Sequence, residues 1–119
     1  MKILEFLKNK LGGNKINKFT LYVGLNDKDT RKQEIKTTNA KNLISKIFAE
    51  NEIEGATFLG AEGIYTYKED NKTETENSFK IEVLFATDNQ IKKAVEKIKI
   101  KLNQESVAVV KEKIASSLM

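Results

Sequence analysis

Apolar and polar residues alternate along three stretches of the chain, which is the spacing of a half-buried β-strand. These stretches are residues 18–25 (KFTLYVGL), 56–67 (ATFLGAEGIYTY) and 78–86 (SFKIEVLFA). A fourth, shorter apolar stretch at residues 105–111 (ESVAVVK) predicts another strand. Gly60 and Gly63, inside the second stretch, indicate a bulge or a close approach of another backbone.

Two further stretches repeat their apolar positions every three or four residues, which is the period of an amphipathic helix. Thr37 or Thr38 can cap the first helix, and Gly55 ends that segment. Thr87 or Asp88 can cap the second helix. The two apolar stripes are Leu43, Ile44, Ile47 and Phe48 in the first helix, and Ile91, Ala94, Val95, Ile98 and Leu102 in the second.

The resulting order of elements is β-α-β-β-α-β, which predicts an α+β domain of the ferredoxin-like βαββαβ sandwich type. Two helices should cover one face of a four-stranded antiparallel sheet. We expect residues 18–119 to form this one domain. Within it, the wholly polar residues 68–77 (KEDNKTETEN) predict a mobile loop, and the last eight residues predict a tail.

An additional segment precedes the domain. Residues 2–11 (KILEFLKNKL) place apolar side chains at helical spacing, and Gly12-Gly13 supplies a stop. We therefore expect residues 1–13 to form an N-terminal amphipathic helix, joined to the domain by a linker at residues 14–17. This helix could lie on an anionic membrane surface, dock in a groove of a protein partner, or pack on the domain's own sheet or in an oligomer interface.

The composition removes several kinds of chemistry. The 119 residues include no cysteine and no histidine, so a thiol nucleophile, a disulfide and the commonest general base are excluded. Five lysines and only one acid, Glu5, lie in residues 1–18, so this segment accounts for the net charge of +4. From these absences we expect no catalytic residues, no metal site and no cofactor, and therefore a protein that is not an enzyme.

The hydropathy of the chain also bears on its location. No apolar run approaches the roughly 18 residues of a membrane span. Glu5, Lys8 and Asn9 interrupt the apolar positions at the N-terminus, so no secretory signal is expected there. The predicted location is the cytoplasm.

Four segments carry a resemblance to the PII-like superfamily of signal-transduction proteins. They are Gly55-Ala56-Thr57, Glu62-Gly63-Ile64-Tyr65, Lys80-Ile81-Glu82-Val83 and the helix from Asp88 to Ile98. The resemblance implies a regulatory or adaptor protein that forms a homo-oligomer, by analogy a trimer. It also implies a small-molecule effector bound in a cleft between subunits, near the end of the second strand, with residues 68–77 contacting a partner.

The resemblance, placed on this sequence, implies four residues lining the effector site: Gly63, Tyr65, Lys80 and Lys101. Two departures from the family argue against ATP as the effector. Glu62 stands where PII proteins usually carry arginine, and the connection at residues 103–106 (NQES) lacks the glycines of their nucleotide-contacting loop.

Other interpretations of the sequence remain. The protein could be an interaction module without a ligand, acting through the N-terminal helix or the exposed sheet. The lysines of the second helix could bind nucleic acid, but the acidic residues between Glu50 and Glu76 argue against this interpretation. Glu62 and Glu82 could face each other on neighbouring strands, and Asp27 with Asp29 predicts a turn with solvated charges rather than a cation site.

Overall fold

Six helices and strands follow one another in the predicted order in the computed structural model, which describes residues 15–116. The predicted N-terminal helix at residues 1–13 lies outside the described residues. The described elements are β1 (Lys15–Gly24), α1 (Thr37–Glu50), β2 (Thr57–Thr66), β3 (Thr73–Leu84), α2 (Asp88–Lys101) and β4 (Ala108–Ala115). The α+β class predicted from the sequence is confirmed.

The four strands form one antiparallel sheet in the order β2-β3-β1-β4. Each helix connects two strands that run in the same direction and are not neighbours in the sheet, which is the ferredoxin-like arrangement. The two helices contact each other and pack on the same face of the sheet. The opposite face of the sheet, called the open face below, is not covered by a helix in the described part of the chain.

The alternation along β1 and β3 separates these two faces. Leu21 and Val23 of β1 and Ile81 and Val83 of β3 are fully buried against the helices. Their neighbours in sequence point to the open face, where Tyr22 keeps 46% of its surface exposed. The helices contribute the other fully buried large side chains, Ile44, Ile47 and Ile98.

Three polar segments are strand where the sequence predicted loop, linker or tail. Residues 73–77 belong to β3, residues 15–17 to β1 and residues 112–115 to β4. These strand ends extend beyond the helices, so both of their faces are largely exposed and need no apolar side chains. The prediction of a mobile loop at residues 68–77 is therefore wrong, because a short connection at residues 67–72 joins β2 to β3.

The end of β3 also differs from the prediction, which continued the strand to residue 86. The strand ends at Leu84, and Phe85 adopts a left-handed backbone with a φ of 59°. A backbone in that region cannot continue a strand.

Within residues 15–116, no helix is both long and apolar enough to cross a membrane.

Candidate ligand-binding cleft

A cleft of about 460 Å³ lies on the open face of the sheet. Its floor is built from small side chains that neighbouring strands place side by side: Gly24 and Ala61 both lie opposite Ser78, and Gly63 lies opposite Glu76. Small residues on four strands leave a depression that larger side chains would fill. The small residues lining the cleft are Gly24, Ala61, Gly63, Ser78 and Ala108.

Larger side chains surround this floor. Tyr22 of β1 and Lys80 of β3 are direct cross-strand partners at one end of the cleft. Tyr65 and Tyr67 at the other end of the cleft pack edge to face, with ring centroids 4.9 Å apart. The connection between α2 and β4, residues 104–106, also lines the cleft.

A carboxylate occupies the floor beside Gly24. The Oε2 atom of Glu76 accepts a hydrogen bond of 3.0 Å from the backbone N–H of Asn26. A Cβ atom on residue 24 would lie only 2.5 Å from the Oε1 atom of Glu76. Glycine at position 24 therefore lets the Glu76 carboxylate lie against the backbone of β1.

A hydrogen bond between Tyr65 and Glu105 spans the sheet above this floor. The Tyr65 hydroxyl, from the edge strand β2, lies 3.4 Å from the Oε2 atom of Glu105, in the connection that leads to the opposite edge strand. The negative charge of Glu105 is the largest cause that raises the pKa of the Tyr65 phenol, and burial of the phenol raises this pKa further. A raised pKa keeps the phenol protonated near neutral pH, so it acts as the donor.

Tyr67 is held from outside the cleft by Arg31. Tyr67 is 7% exposed, and the Arg31 guanidinium carbon lies 4.0 Å from the centre of its ring. Burial raises the pKa of the Tyr67 phenol. The Nη1 atom of Arg31 also forms an ion pair of 2.6 Å with Asp70 in the β2–β3 turn.

Two carboxylates and two lysines surround the cleft. The carboxylates are those of Glu76 and Glu105, and the lysines are Lys28 and Lys80. Glu62 contributes only its backbone, because it lies opposite Asn77 and its side chain points to the other face of the sheet. Carboxylates beside the rings of Tyr22 and Tyr65 attract a cation that also has flat, apolar parts.

Three of the four residues predicted to line a ligand site meet in this cleft: Gly63, Tyr65 and Lys80. Lys101 does not, because it lies in the last turn of α2 beside a separate small cavity of about 50 Å³. Whether the three residues bind a ligand stays a prediction.

Three further residues line the cleft and were not predicted to belong to a site: Tyr22, Glu76 and Glu105. Tyr22 alternates with buried residues along β1, so strand periodicity marks it as a residue of the open face. Glu76 was missed because its polar segment predicted a loop rather than a strand. No sequence signal marks Glu105.

The carboxylates of Glu62 and Glu82 do not form the pair that the sequence suggested. Glu62 lies opposite Asn77, and Glu82 lies opposite Thr57, so the two carboxylates do not face each other as suggested. Glu82 instead forms an ion pair of 2.6 Å with Lys18, and this lysine lowers the pKa of the Glu82 carboxyl.

Asp27 adopts the predicted turn. Its Oδ1 atom accepts hydrogen bonds from the backbone N–H groups of Asp29 and Thr30, at 2.8 and 3.0 Å. Hydrogen bonds from Thr30, Asn103 and Asp29 lower the pKa of the Asp27 carboxyl. Among the described residues, no group of three acidic side chains is arranged to hold a metal ion.

Residues 18–118 match the model of a family described as a protein of unknown function, DUF3574. The chain belongs to this family. No curated protein matches the chain in sequence.

Solved structures with the same fold include two states of one enzyme. A phage SAM lyase in complex with S-methyl-5′-thioadenosine matches with a TM-score of 0.59 and 23% identity, over 85% of this chain and 90% of that one. The same lyase in its apo state matches with a TM-score of 0.58 and 21% identity, over 87% and 91% of the two chains.

The PII-like resemblance is confirmed at the level of the fold by two further structures. The periplasmic divalent cation tolerance protein CutA from Archaeoglobus fulgidus matches with a TM-score of 0.57 and 9% identity, over 85% of this chain and 87% of that one. The GlnK–ATP complex of B. subtilis matches with a TM-score of 0.52 and 11% identity, over 82% of each chain. Identities this low show a shared fold and nothing more specific.

The expectation that the protein is not an enzyme is wrong as an inference from its fold and composition. A phage SAM lyase is an enzyme and has the same fold as this chain. The absence of cysteine and histidine excludes thiol nucleophiles and imidazole bases. It does not exclude reactions that need only a bound and oriented substrate with charges placed around it.

Proposed function

We propose that the open-face cleft binds S-adenosylmethionine and that the protein cleaves this ligand as a lyase. The observation that carries the proposal is the placement of two carboxylates, those of Glu76 and Glu105, beside tyrosine rings in a single cleft. S-adenosylmethionine combines a sulfonium cation, a flat adenine ring and an amino-acid end that carries both an ammonium and a carboxylate. Each part has a chemical counterpart among the lining residues.

The sulfonium is matched by the acidic and aromatic side chains. Glu76 and Glu105 attract a positive charge, and the faces of Tyr22 and Tyr65 attract it through their quadrupoles. The same rings are suited to stack on adenine. Lys80 is suited to pair with the carboxylate of the methionine part.

A nucleoside triphosphate fits this surface poorly, although one neighbour was solved with ATP. Its phosphates would lie beside the carboxylates of Glu76 and Glu105. The connection that precedes β4 has no glycine, so it lacks a flexible backbone loop that could wrap around phosphates. These two features favour the ligand chemistry of the lyase neighbour over that of GlnK.

Cleavage would break the bond between the sulfonium sulfur and the γ-carbon of the methionine part. The electron pair of that bond goes to sulfur, the positive charge disappears, and S-methyl-5′-thioadenosine is released. A lyase adds no water, so two routes remain: the γ-carbon bonds to an oxygen of its own carboxylate and gives a lactone, or the β-carbon passes a proton to a carboxylate of the cleft while a double bond forms between the β- and γ-carbons. Neither route needs a thiol, an imidazole or a metal.

We also propose that the protein works as a homo-oligomer, as a trimer of the PII-like type, with the cleft at the boundary between subunits. Three apolar side chains on the open face support this proposal: Leu59 and Val110 are 46% and 43% exposed, and Leu84 is 36% exposed. A partner subunit would cover them. Light scattering after size exclusion should give three times the mass of one chain, and a monomer would refute this part of the proposal.

A regulatory or adaptor role is the second candidate, and the same exposed apolar side chains favour it because they could receive a different protein. In that role the protein binds a small-molecule effector and signals the bound state to a partner protein. The cytoplasm remains the proposed location for either role. Turnover distinguishes the two candidates, because only the lyase consumes the ligand.

Incubation of the purified full-length protein with S-adenosylmethionine, followed by mass spectrometry of the mixture, tests the proposal. We expect S-methyl-5′-thioadenosine to accumulate, and we expect Glu76→Gln to slow its formation strongly. Glu96→Gln is the matched control, because Glu96 is an exposed acid on α2, away from the cleft. Binding without product would support the regulatory candidate, and absence of binding would refute the lyase and exclude S-adenosylmethionine as the effector.

A further inference from the structure

Arg31 lies outside the cleft but contacts a residue that lines it. Its guanidinium carbon is 4.0 Å from the centre of the Tyr67 ring, and its Nη1 atom pairs with Asp70 at 2.6 Å. Its Nη2 atom lies 3.7 Å from a carboxylate oxygen of Glu69. Arg31 therefore links the connection between β1 and α1 to the turn between β2 and β3.

The turn that carries Arg31 is well fixed. The backbone N–H of Arg31 donates to the carbonyl of Asp27 at 2.8 Å, and the Asp27 side chain accepts from Asp29 and Thr30. Arg31 itself has a φ of 61°, which is uncommon for a residue with a side chain. Backbone strain of this kind persists where the surrounding structure enforces it.

Tyr67 connects the turn that carries Arg31 to the cleft. It is almost fully buried, and it packs edge to face on Tyr65 at an interplanar angle of 72°. Tyr65 in turn extends over the floor of the cleft to Glu105. An ordered series of contacts thus runs from Asp70 through Arg31, Tyr67 and Tyr65 to Glu105.

We propose that Arg31 is a positioning residue for the cleft: it fixes the ring of Tyr67, which in turn fixes Tyr65 where a ligand would contact it. Arginine suits this role because its flat guanidinium can stack on a ring and pair with a carboxylate at the same time. Lysine carries the same charge but has no flat surface. The proposal rests on the proposed function only for its effect on ligand affinity.

The first test is made without ligand. The protein contains three tyrosines, so their ring signals can be assigned by NMR. We expect Arg31→Met to shift the signals of Tyr65 and Tyr67 and to leave those of Tyr22 in place. Lys32→Met is the matched control, because it removes a neighbouring exposed charge and should move none of the three.

A conservative variant separates stacking from charge. Arg31→Lys keeps a cation next to Asp70, so it should fold even if Arg31→Met does not. We expect its Tyr65 and Tyr67 signals to differ from those of the wild type, because the flat contact is lost. Wild-type signals in Arg31→Lys, or unchanged Tyr65 signals in a folded Arg31→Met, would overturn the proposal.

The second test measures affinity for S-adenosylmethionine by calorimetry. Arg31→Met should weaken binding about fivefold or more. If Arg31 acts through Tyr65, it should have almost no effect in a Tyr65→Ala background, because the two losses are then not additive. Equal losses in both backgrounds would contradict the proposal.

The two tests distinguish a failure of the proposed function from a failure of the role proposed for Arg31. If the wild-type protein does not bind S-adenosylmethionine, the proposed function is wrong, and the ring signals alone then decide the role of Arg31. If the wild type binds and either Arg31 variant gives the overturning ring signals described above, the proposed function stands and Arg31 is not a positioning residue.

Discussion

Gly63→Val should weaken ligand binding strongly without destabilising the fold. A Cβ atom on this residue would meet only the Ser78 hydroxyl, at 3.8 Å, which is an ordinary contact. The two methyl groups of valine at position 63 would therefore occupy the floor of the cleft rather than clash with the sheet. Overfilling a packed site typically costs about 1–3 kcal/mol, which corresponds to a loss of about 5- to 150-fold in affinity.

The same substitution should not destabilise the protein. Gly63 lies inside β2, where a β-branched residue is favoured and where glycine increases the conformational entropy of the unfolded chain. Replacing glycine at a compatible position stabilises a protein by about 0.4–1 kcal/mol. We therefore expect Gly63→Val to raise the free energy of unfolding slightly while it weakens binding of S-adenosylmethionine.

Gly60→Val is the matched control for this experiment. Gly60 lies in the same strand but does not line the cleft, and a Cβ atom there meets nothing within 4 Å. Denaturant unfolding and calorimetric titration of both variants give stability and affinity independently. Wild-type affinity in Gly63→Val, or an equal loss of affinity in both variants, would show that the ligand does not occupy this floor.

Three further predictions concern stability. Thr87→Ala should cost about 1 kcal/mol in denaturant unfolding, because Thr87 and Gln90 form a reciprocal capping box at the start of α2. Lys36→Asp should stabilise by a similar amount, because α1 has no side-chain cap; an unchanged midpoint would contradict this. The carboxyls of Asp27 and Asp70 have lowered pKa values in the folded state. Their contribution to folding stability is therefore fully present above about pH 4, the pKa in the unfolded chain, and is lost as the pH falls through the lower pKa of the folded state. Asp27→Asn should therefore make stability less dependent on pH below about pH 4, and an unchanged acid dependence would refute this.

The order and type of the elements were predictable because the helix-facing side chains alternate regularly. Phe19, Leu21, Val23 and their partners in β3 form the buried face, and their spacing alone indicates strands. Apolar periodicity reports burial, so it fails where a strand is not buried. Residues 73–77 show this limit: they pair with β2 along their whole length but have no apolar face.

The cleft was only partly predictable for a related reason. Gly63, Tyr65 and Lys80 were predicted from a family resemblance, and the sheet brings these three together in the cleft. Lys101 lies beside a separate cavity, because α2 packs on the other face of the sheet. Glu105 lies in a connection whose path depends on the whole fold, so only the structure places it opposite Tyr65.

The most direct test of the account is the relative affinity of the wild-type protein for three ligands. S-adenosylhomocysteine lacks the S-methyl group and the positive charge of S-adenosylmethionine, and ATP carries several negative charges. The carboxylates and tyrosines of the cleft predict that S-adenosylmethionine binds about tenfold or more tightly than S-adenosylhomocysteine, and that ATP binds most weakly. Equal affinity for the two sulfur compounds, or tighter binding of ATP, would contradict the central claim that the cleft recognises a cationic nucleoside.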